Sequence, residues 1–216
     1  MIYEALLNEI INCKIIPGTK ITEEELVNRF CLSRTPVRSA IIQLVKDGLL
    51  EVKPKKGTFV TKIDIKDISN ALAIRIAIEE KVYYEIVGNI NNEKKSLLNE
   101  ILKNQEEIIK LDESIDKSRK LYENDNEFHK TLFEIANKKE VWEYANNLLI
   151  PLNRFRIMSN LRRDDDLKII LNYHKELLNS LINNDVKKAI SLFEEHLNVG
   201  FEGMDNVKKK YPNYFK

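Results

Sequence analysis

Between Thr22 and Gly48 the chain carries an ordered set of helix punctuation, and no other stretch narrows the possible folds so far. Thr22 and Glu25 stand in the pattern of a capping box, in which hydroxyl and carboxylate each accept a backbone N–H at a helix start. The helix opened there is expected to run through Phe30, and Cys31-Leu32-Ser33 turns the chain. Ser33 is placed to N-cap a further helix ending near Asp47. Pro36 falls in its first turn, where a missing N–H costs little, and Gly48 supplies the stop. Upstream, residues 2–13 read as a short helix with Ile2, Leu6, Ile10 and Cys13 on one side, before the break at Pro17-Gly18. Downstream, Leu49–Lys53 and Thr58–Thr61 read as two short strands joined through Pro54, Lys55, Lys56 and Gly57, the last at a position needing positive φ.

Helix, helix–turn–helix and basic hairpin, in that order, make a winged helix–turn–helix. Charge gives it a use. The chain as a whole has a formal net charge of only +1, yet residues 30–62 hold seven Lys/Arg against two acids. In the helix after Ser33, the spacing turns Val37, Ala40, Ile41, Leu44 and Val45 inward and leaves Arg34, Thr35, Arg38 and Ser39 outward at the N-terminal end. That end has free amide N–H groups and the positive pole of the helix dipole, so it attracts phosphate. An arginine there can fork onto guanine O6 and N7, worth about 1–3 kcal/mol of discrimination. Without a ligand, Arg34 and Arg38 are only like charges at i, i+4, which repel by a few tenths of a kcal/mol. Lys53, Lys55 and Lys56 on the hairpin suit backbone contacts, which add salt-dependent affinity without reading sequence.

Ile15 to Val60 closely resembles the DNA-binding domain of the GntR family of bacterial transcription regulators. The features that carry the resemblance are Pro17-Gly18, Glu25-Leu26, Ser33-Arg34-Thr35-Pro36-Val37-Arg38, Leu44, Gly48-Leu49 and Gly57 with Val60. It implies that Arg34 and Arg38 read the operator, with Ser33 and Thr35 beside them, and that Gly57 sits at the wing tip in the minor groove. Some members place a DNA-contacting arginine in the second helix where this chain has Glu24, so the resemblance does not carry that contact over.

Beyond the short linker Lys62–Ser69, helix formers dominate. Six helices are expected, at roughly 66–88, 93–111, 115–136, 139–161, 166–183 and 185–203, separated by short polar breaks. Short connections imply antiparallel neighbours, hence a helical bundle. The fold class expected is therefore mainly α: a winged helix–turn–helix (residues 1–62) followed by an all-helical antiparallel bundle (residues 66–210). Six glycines and five prolines in 216 residues are too few for an all-β chain rich in tight turns. Cys13 and Cys31 belong to no CxxC pair and read as small core hydrophobes in a reducing compartment. No apolar run approaches the ~18 residues of a membrane span, and the N-terminus lacks a signal-peptide pattern, so a cytoplasmic protein is expected.

All three histidines fall on apolar helical stripes. Asp125 and His129 form an i, i+4 pair on the stripe Leu121, Phe128, Leu132, Ala136; His174 sits amid Leu167, Leu171, Leu177, Leu178 and Leu181; His196 sits amid Ala189, Leu192 and Phe193. An inward carboxylate needs a partner. Three imidazoles with a carboxylate suit a borderline divalent ion, Zn²⁺ first, with Ni²⁺ or Mn²⁺ as alternatives. The ordinary alternative for each histidine alone is a hydrogen-bonded core residue. The spacing matches no zinc finger.

Residues 66–203 resemble the FCD ligand-binding domain of the FadR subfamily of GntR regulators, through Asp125-x-x-x-His129, the later His174 and His196, and Arg75-Ile-Ala-Ile-Glu-Glu80. The resemblance implies a metal that helps bind a small organic acid, with Arg75 lining the pocket or, alternatively, paired with Glu79 at i+4. Arg154 and Arg156 are further candidates for the pocket. The function expected is a metabolite-responsive regulator, a repressor, that binds a palindromic double-stranded DNA operator as a homodimer, with no membrane partner. The competing class is a metal-dependent enzyme using the Asp/His quartet, against which no further Glu or His stands at motif spacing as general base.

Overall fold

The computed structural model describes residues 2–159, 164–202 and 204–216. These divide into two compact units, the chain up to Ile65 together with Lys208–Lys216, and Lys66–Val207.

In the first unit, α1 (Ile2–Ile11) buries Ile2, Leu6 and Ile10, and α2 (Glu23–Phe30) is N-capped by Thr22. The expected capping box is present in both directions: Glu25 N–H donates to Thr22 Oγ1 at 3.2 Å, and Thr22 N–H donates to the Glu25 carboxylate at 3.3 Å. Helix α3 (Arg34–Lys46) buries Val37, Ala40, Ile41 and Leu44, while Val45 is half-buried. The two wing strands are β2 (Leu50–Lys53) and β3 (Gly57–Val60). A third strand, β1 (Lys20–Ile21), was not foreseen; it pairs with β3 to give the antiparallel order β1-β3-β2, in register Ile21↔Thr58 and Val52↔Thr58. Two residues are too short to show alternation, and only the pairing makes them a strand. Helix α1 ends two residues earlier than expected, with Cys13 at φ 51 in the left-handed region. Cys13 is buried as expected, but Cys31, the C-cap of α2, is exposed and not a core residue.

The second unit is helical: α4 (Ile65–Ile86), α5 (Asn92–Ile109), α6 (Ile115–Ile135), α7 (Lys139–Leu148), α8 (Ile150–Ser159), α9 (Asp164–Ile182) and α10 (Val186–Glu202). Its core includes Tyr83, Leu98, Leu102, Phe128, Leu132, Phe133, Leu178, Leu181 and Phe193, all nearly inaccessible. Helix α5 packs on α6 and α9, α9 on α10, and α6 on α8.

The single helix expected at 139–161 is two helices. Pro151 lacks an N–H and its ring clashes with the carbonyl four residues back, so the helix cannot run through it. The N–H of Leu149 donates to Ala145 O and Asn146 O at 3.1 and 3.2 Å, and Asn153 N–H donating to Leu149 O at 2.8 Å begins the new helix. Residues 160 and 161 of the expected span lie outside the described residues.

The tail was also not anticipated. After α11 (Met204–Lys210) and a 3-10 turn at Pro212–Tyr214, Phe215 forms a parallel bridge with Ile63. Ile63 N–H donates to Tyr214 O at 2.9 Å and Lys216 N–H to Ile63 O at 3.0 Å, with both Ile63 and Phe215 buried.

Candidate functional site

On the first unit, Ser33, Arg34, Thr35 and Arg38 are all exposed at the start of α3. Ser33 occupies the N-cap position, but its side chain makes no cap hydrogen bond, and the first turn holds no acid. The positive end of the helix is thus left open to an outside anion. Arg38 reaches Glu23 at 3.5 Å, a pair with 70% and 42% of the side chains exposed, which holds little energy.

On the wing, Lys55 and Lys56 are exposed at the turn, whereas Lys53 is tied to Glu51 at 2.9 Å and lies 5.2 Å from the centre of the Phe59 ring. Gly57 has φ 120, and a Cβ there would meet Lys20 Cε at 2.8 Å. Lys20, on β1, is therefore a cation of the wing that the sequence reading missed, because β1 has no pattern of its own.

In the second unit, α6 carries Asp125 and His129, α9 carries His174 and α10 carries His196, and one ligand atom from each lies within 4.8 Å of the others. The ring centres are 4.5 Å (His174–His196), 5.3 Å (His129–His174) and 5.8 Å (His129–His196) apart. Asp125 Oδ1 faces His174 Nε2 at 3.4 Å and His196 Nε2 at 3.6 Å; Oδ2 faces His129 Nε2 at 3.8 Å.

The outer ring nitrogens of His129 and His174 are anchored, while His196 Nδ1 is buried without a hydrogen-bond partner among the described residues. His129 Nδ1 is 2.5 Å from Glu79 Oε2, and His174 Nδ1 is 2.9 Å from Gln105 Oε1. Both acceptors lack a proton to give, so each Nδ1 donates, and each Nε2 turns a lone pair to the centre. Those two Nε2 atoms are buried without a hydrogen-bond partner among the described residues. Two ligands of one zinc ion lie at most about 4.2 Å apart, so small side-chain movements close the set. The residues fit a divalent ion.

Electrostatics agree. Burial, with the neighbouring His174 adding to it, holds His196 well below the usual histidine range, and burial likewise lowers His129. Both are neutral near pH 7, the state a ligand needs. Burial would raise Asp125, but the Arg156 guanidinium and the histidines beside it keep its carboxyl well below the ordinary value. Glu79 is likewise pushed up by burial, yet His129 and Arg75 bring it down to about 2.

The pocket arginines separate. Arg75, 1% exposed, donates from Nε to Glu79 Oε1 at 2.6 Å, the intrahelical pair expected as the alternative, and its Nη2 lies 3.6 Å from Asp125 Oδ2. Its two terminal nitrogens have no hydrogen-bond partner among the described residues. Arg75 also lines a cavity of about 50 Å³ with Gln105, Asp125, Arg156, Ser159 and His196, against an apolar wall that includes Leu121 and Phe155. Arg75 is thus both paired and pocket-facing. Arg156 pairs directly with Asp125, donates to Asn126 Oδ1 at 2.9 Å and lies 5.0 Å from the Tyr122 ring centre. Arg154 is buried but is not among the described residues lining the cavity. Two residues along a helix turn about 200°, so Arg154 and Arg156 cannot share one face.

Sequence reasoning missed Gln105 and gave Glu79 too small a part. Each is a polar residue on an otherwise apolar stripe, Gln105 amid Leu98, Ile101, Leu102 and Ile108, which is the mark that could have exposed it. No described helix is long and apolar enough to cross a membrane.

Residues 1–60 match the model of bacterial regulatory proteins of the gntR family, and residues 70–199 match that of the FCD domain. The Escherichia coli HTH-type transcriptional repressor RspR is 29% identical over 214 residues, covering 99% of this chain and 92% of its own. The Bacillus subtilis HTH-type transcriptional regulator YdhC is 25% identical, covering 95% and 90%. Among solved structures, E. coli McbR/YncC superposes with a TM-score of 0.73 at 17% identity over 97% of this chain and 96% of that one, which establishes likeness of fold. Regulators rather than enzymes make up this kinship, and the metal-dependent enzyme is set aside. The chain is a DNA-binding transcriptional regulator that belongs to the gntR family of bacterial regulatory proteins and carries an FCD domain.

Proposed function

We propose that this regulator is a cytoplasmic, metabolite-responsive repressor that binds a palindromic operator as a homodimer and is controlled by a small organic acid at a metal-assisted site. Residues 1–62 read DNA, and residues 66–210 sense the effector and dimerise. The observation that carries the reading is the convergence of Asp125, His129, His174 and His196, with orphaned Nε2 atoms, beside a cavity into which Arg75 turns unpaired nitrogens.

Asp125 and the three histidines would hold a divalent ion, zinc before nickel or manganese, which when bound supplies a Lewis-acid anchor for a carboxylate. Arg75 and Arg156 supply the charge that holds and orients the acid. A cavity of about 50 Å³ admits a few waters, so an organic acid enters only by moving its walls. A ligand that fits one arrangement of the helices better than another shifts the balance by that difference in affinity. At the other unit, Arg34, Arg38, Ser33 and Thr35 face base edges and phosphates, and Lys53, Lys55, Lys56 and Gly57 meet the backbone and minor groove. Two copies related by a two-fold axis demand a palindrome. The repressor reading draws on the name of the E. coli relative.

The test has two arms. Titration of Zn²⁺ into chelator-stripped protein should give one ion per chain, weakened at least tenfold in His174→Ala, and small carboxylates should raise the melting temperature only with metal present. Selection from random duplex DNA should enrich two inverted half-sites. Absence of stoichiometric metal removes the sensor, and an asymmetric selected site removes the dimeric operator.

A further inference from the structure

Asp125 has more cationic neighbours than one carboxylate can serve. Its Oδ2 carries the direct ion pair with Arg156 Nη2, and Arg75 Nη2 stands 3.6 Å away. The same carboxylate is the one anionic member of the histidine quartet. The two arginines are not equivalent. Arg75 is committed elsewhere, because its Nε is held by Glu79, itself buried and accepting from Tyr83 Oη at 2.8 Å. Arg156 has Asp125 as its one carboxylate partner among the described residues; its other contacts are the neutral Asn126 and Asn153 oxygens, at 2.9 and 3.3 Å, and the Tyr122 ring. It also stands on the cavity wall, with space beside it.

A dication placed among three imidazole nitrogens and Asp125 draws on the negative charge that now neutralises Arg156. It also brings like charge close to a guanidinium in a poorly solvated place, where repulsion is strong. Neutral amide oxygens and an aromatic face can hold a guanidinium that has lost its carboxylate, and the cavity gives it somewhere to turn.

We propose that Arg156 is a built-in rival of the divalent cation for Asp125: it gives up the carboxylate when metal enters, thereby lowering metal affinity, and turns its guanidinium toward the cavity. The proposal rests on the reading that the quartet binds a divalent ion. Its consequence is that metal loading and the exposure of a cavity cation are one event.

The test uses full-length, chelator-stripped protein and Zn²⁺, with affinity read by competition against a chromophoric chelator. Arg156→Gln should bind Zn²⁺ at least tenfold more tightly than the parent, and Arg156→Lys, which keeps the charge, should stay within about threefold of it. Unchanged or weaker binding by Arg156→Gln overturns the proposal and makes Arg156 a buttress of Asp125. Should that variant fail to fold, the parent protein decides: phenylglyoxal modification of Arg156, followed by peptide mass spectrometry, should quicken at least threefold on adding Zn²⁺, and an unchanged rate overturns the idea. If the parent binds no Zn²⁺ by any measure, the metal reading itself fails and the proposal goes with it, a result distinct from equal binding by parent and variant.

Discussion

Arginine serves opposite ends in the two units. Arg34 and Arg38 stand exposed at the start of α3, where Arg38 makes one weak ion pair with Glu23, while Arg75 and Arg156 are enclosed among carboxylates, amides and aromatic rings. At the first site the surrounding water carries the cost of charge, so the fold is indifferent and the side chains are available to an outside anion. At the second, each guanidinium is held by buried carboxylates that also face one another's cations, so removing a member disturbs the rest. Losing an arginine should cost the first unit almost no stability and the second a measurable part of it.

The largest effect that sharpens this contrast is expected from Glu79→Gln. It strands Arg75 and loosens His129, and breaking a buried pair costs about 3–5 kcal/mol; denaturant unfolding measures it, and a loss below 1 kcal/mol breaks the contrast. The pH dependence follows with the same sign. Glu79 sits at about 2 against an ordinary 4.5, so its stabilisation is complete above pH 4.5 and is lost as pH falls toward 2. That contribution is on the order of 3 kcal/mol, and the variant should lack this acid limb. His129 and His196 are lowered from 6.5, so the unfolded chain takes up protons first and stability already begins to fall below that pH.

Arg38→Ala comes next: operator affinity should drop at least tenfold, about 1.4 kcal/mol, with the unfolding midpoint unmoved. Gel-shift titration and thermal melts together check it, and a melting shift like that of Glu79→Gln would erase the difference between the units. Gly57→Ala forces a side chain into positive φ against Lys20, and about 1 kcal/mol of stability should be lost in urea unfolding. The smallest change is expected from Lys55→Ala, which should weaken binding to every duplex alike and reduce the salt slope by about one. A loss of sequence preference in that variant would make the wing a reader rather than a clamp.

Different distances separate what could be read early from what could not. The capping box at Thr22 and Glu25, the stop at Gly48 and the inward faces of α3, α6, α9 and α10 all follow from contacts within one or two helical turns, and each stands where the pattern put it. The break at Pro151 was equally local and was passed over, because the apolar residues around it suggested one continuous helix. The short strand β1 and the tail pairing at Ile63 and Phe215 had no local mark, since their order comes only from the partner.

The amino-acid sequence by itself determined which groups turn inward: a 3.6-residue period orients a side chain relative to its own helix and nothing more. Whom those groups meet was left to packing. His129 finds Glu79 from 50 residues away, His174 finds Gln105 from 69, and Arg156 takes Asp125 from 31, while Arg154 on the other side of α8 does not reach the cavity. Such pairings depend on how helices register against one another, which is settled by the close fit of the whole core rather than by any one stripe.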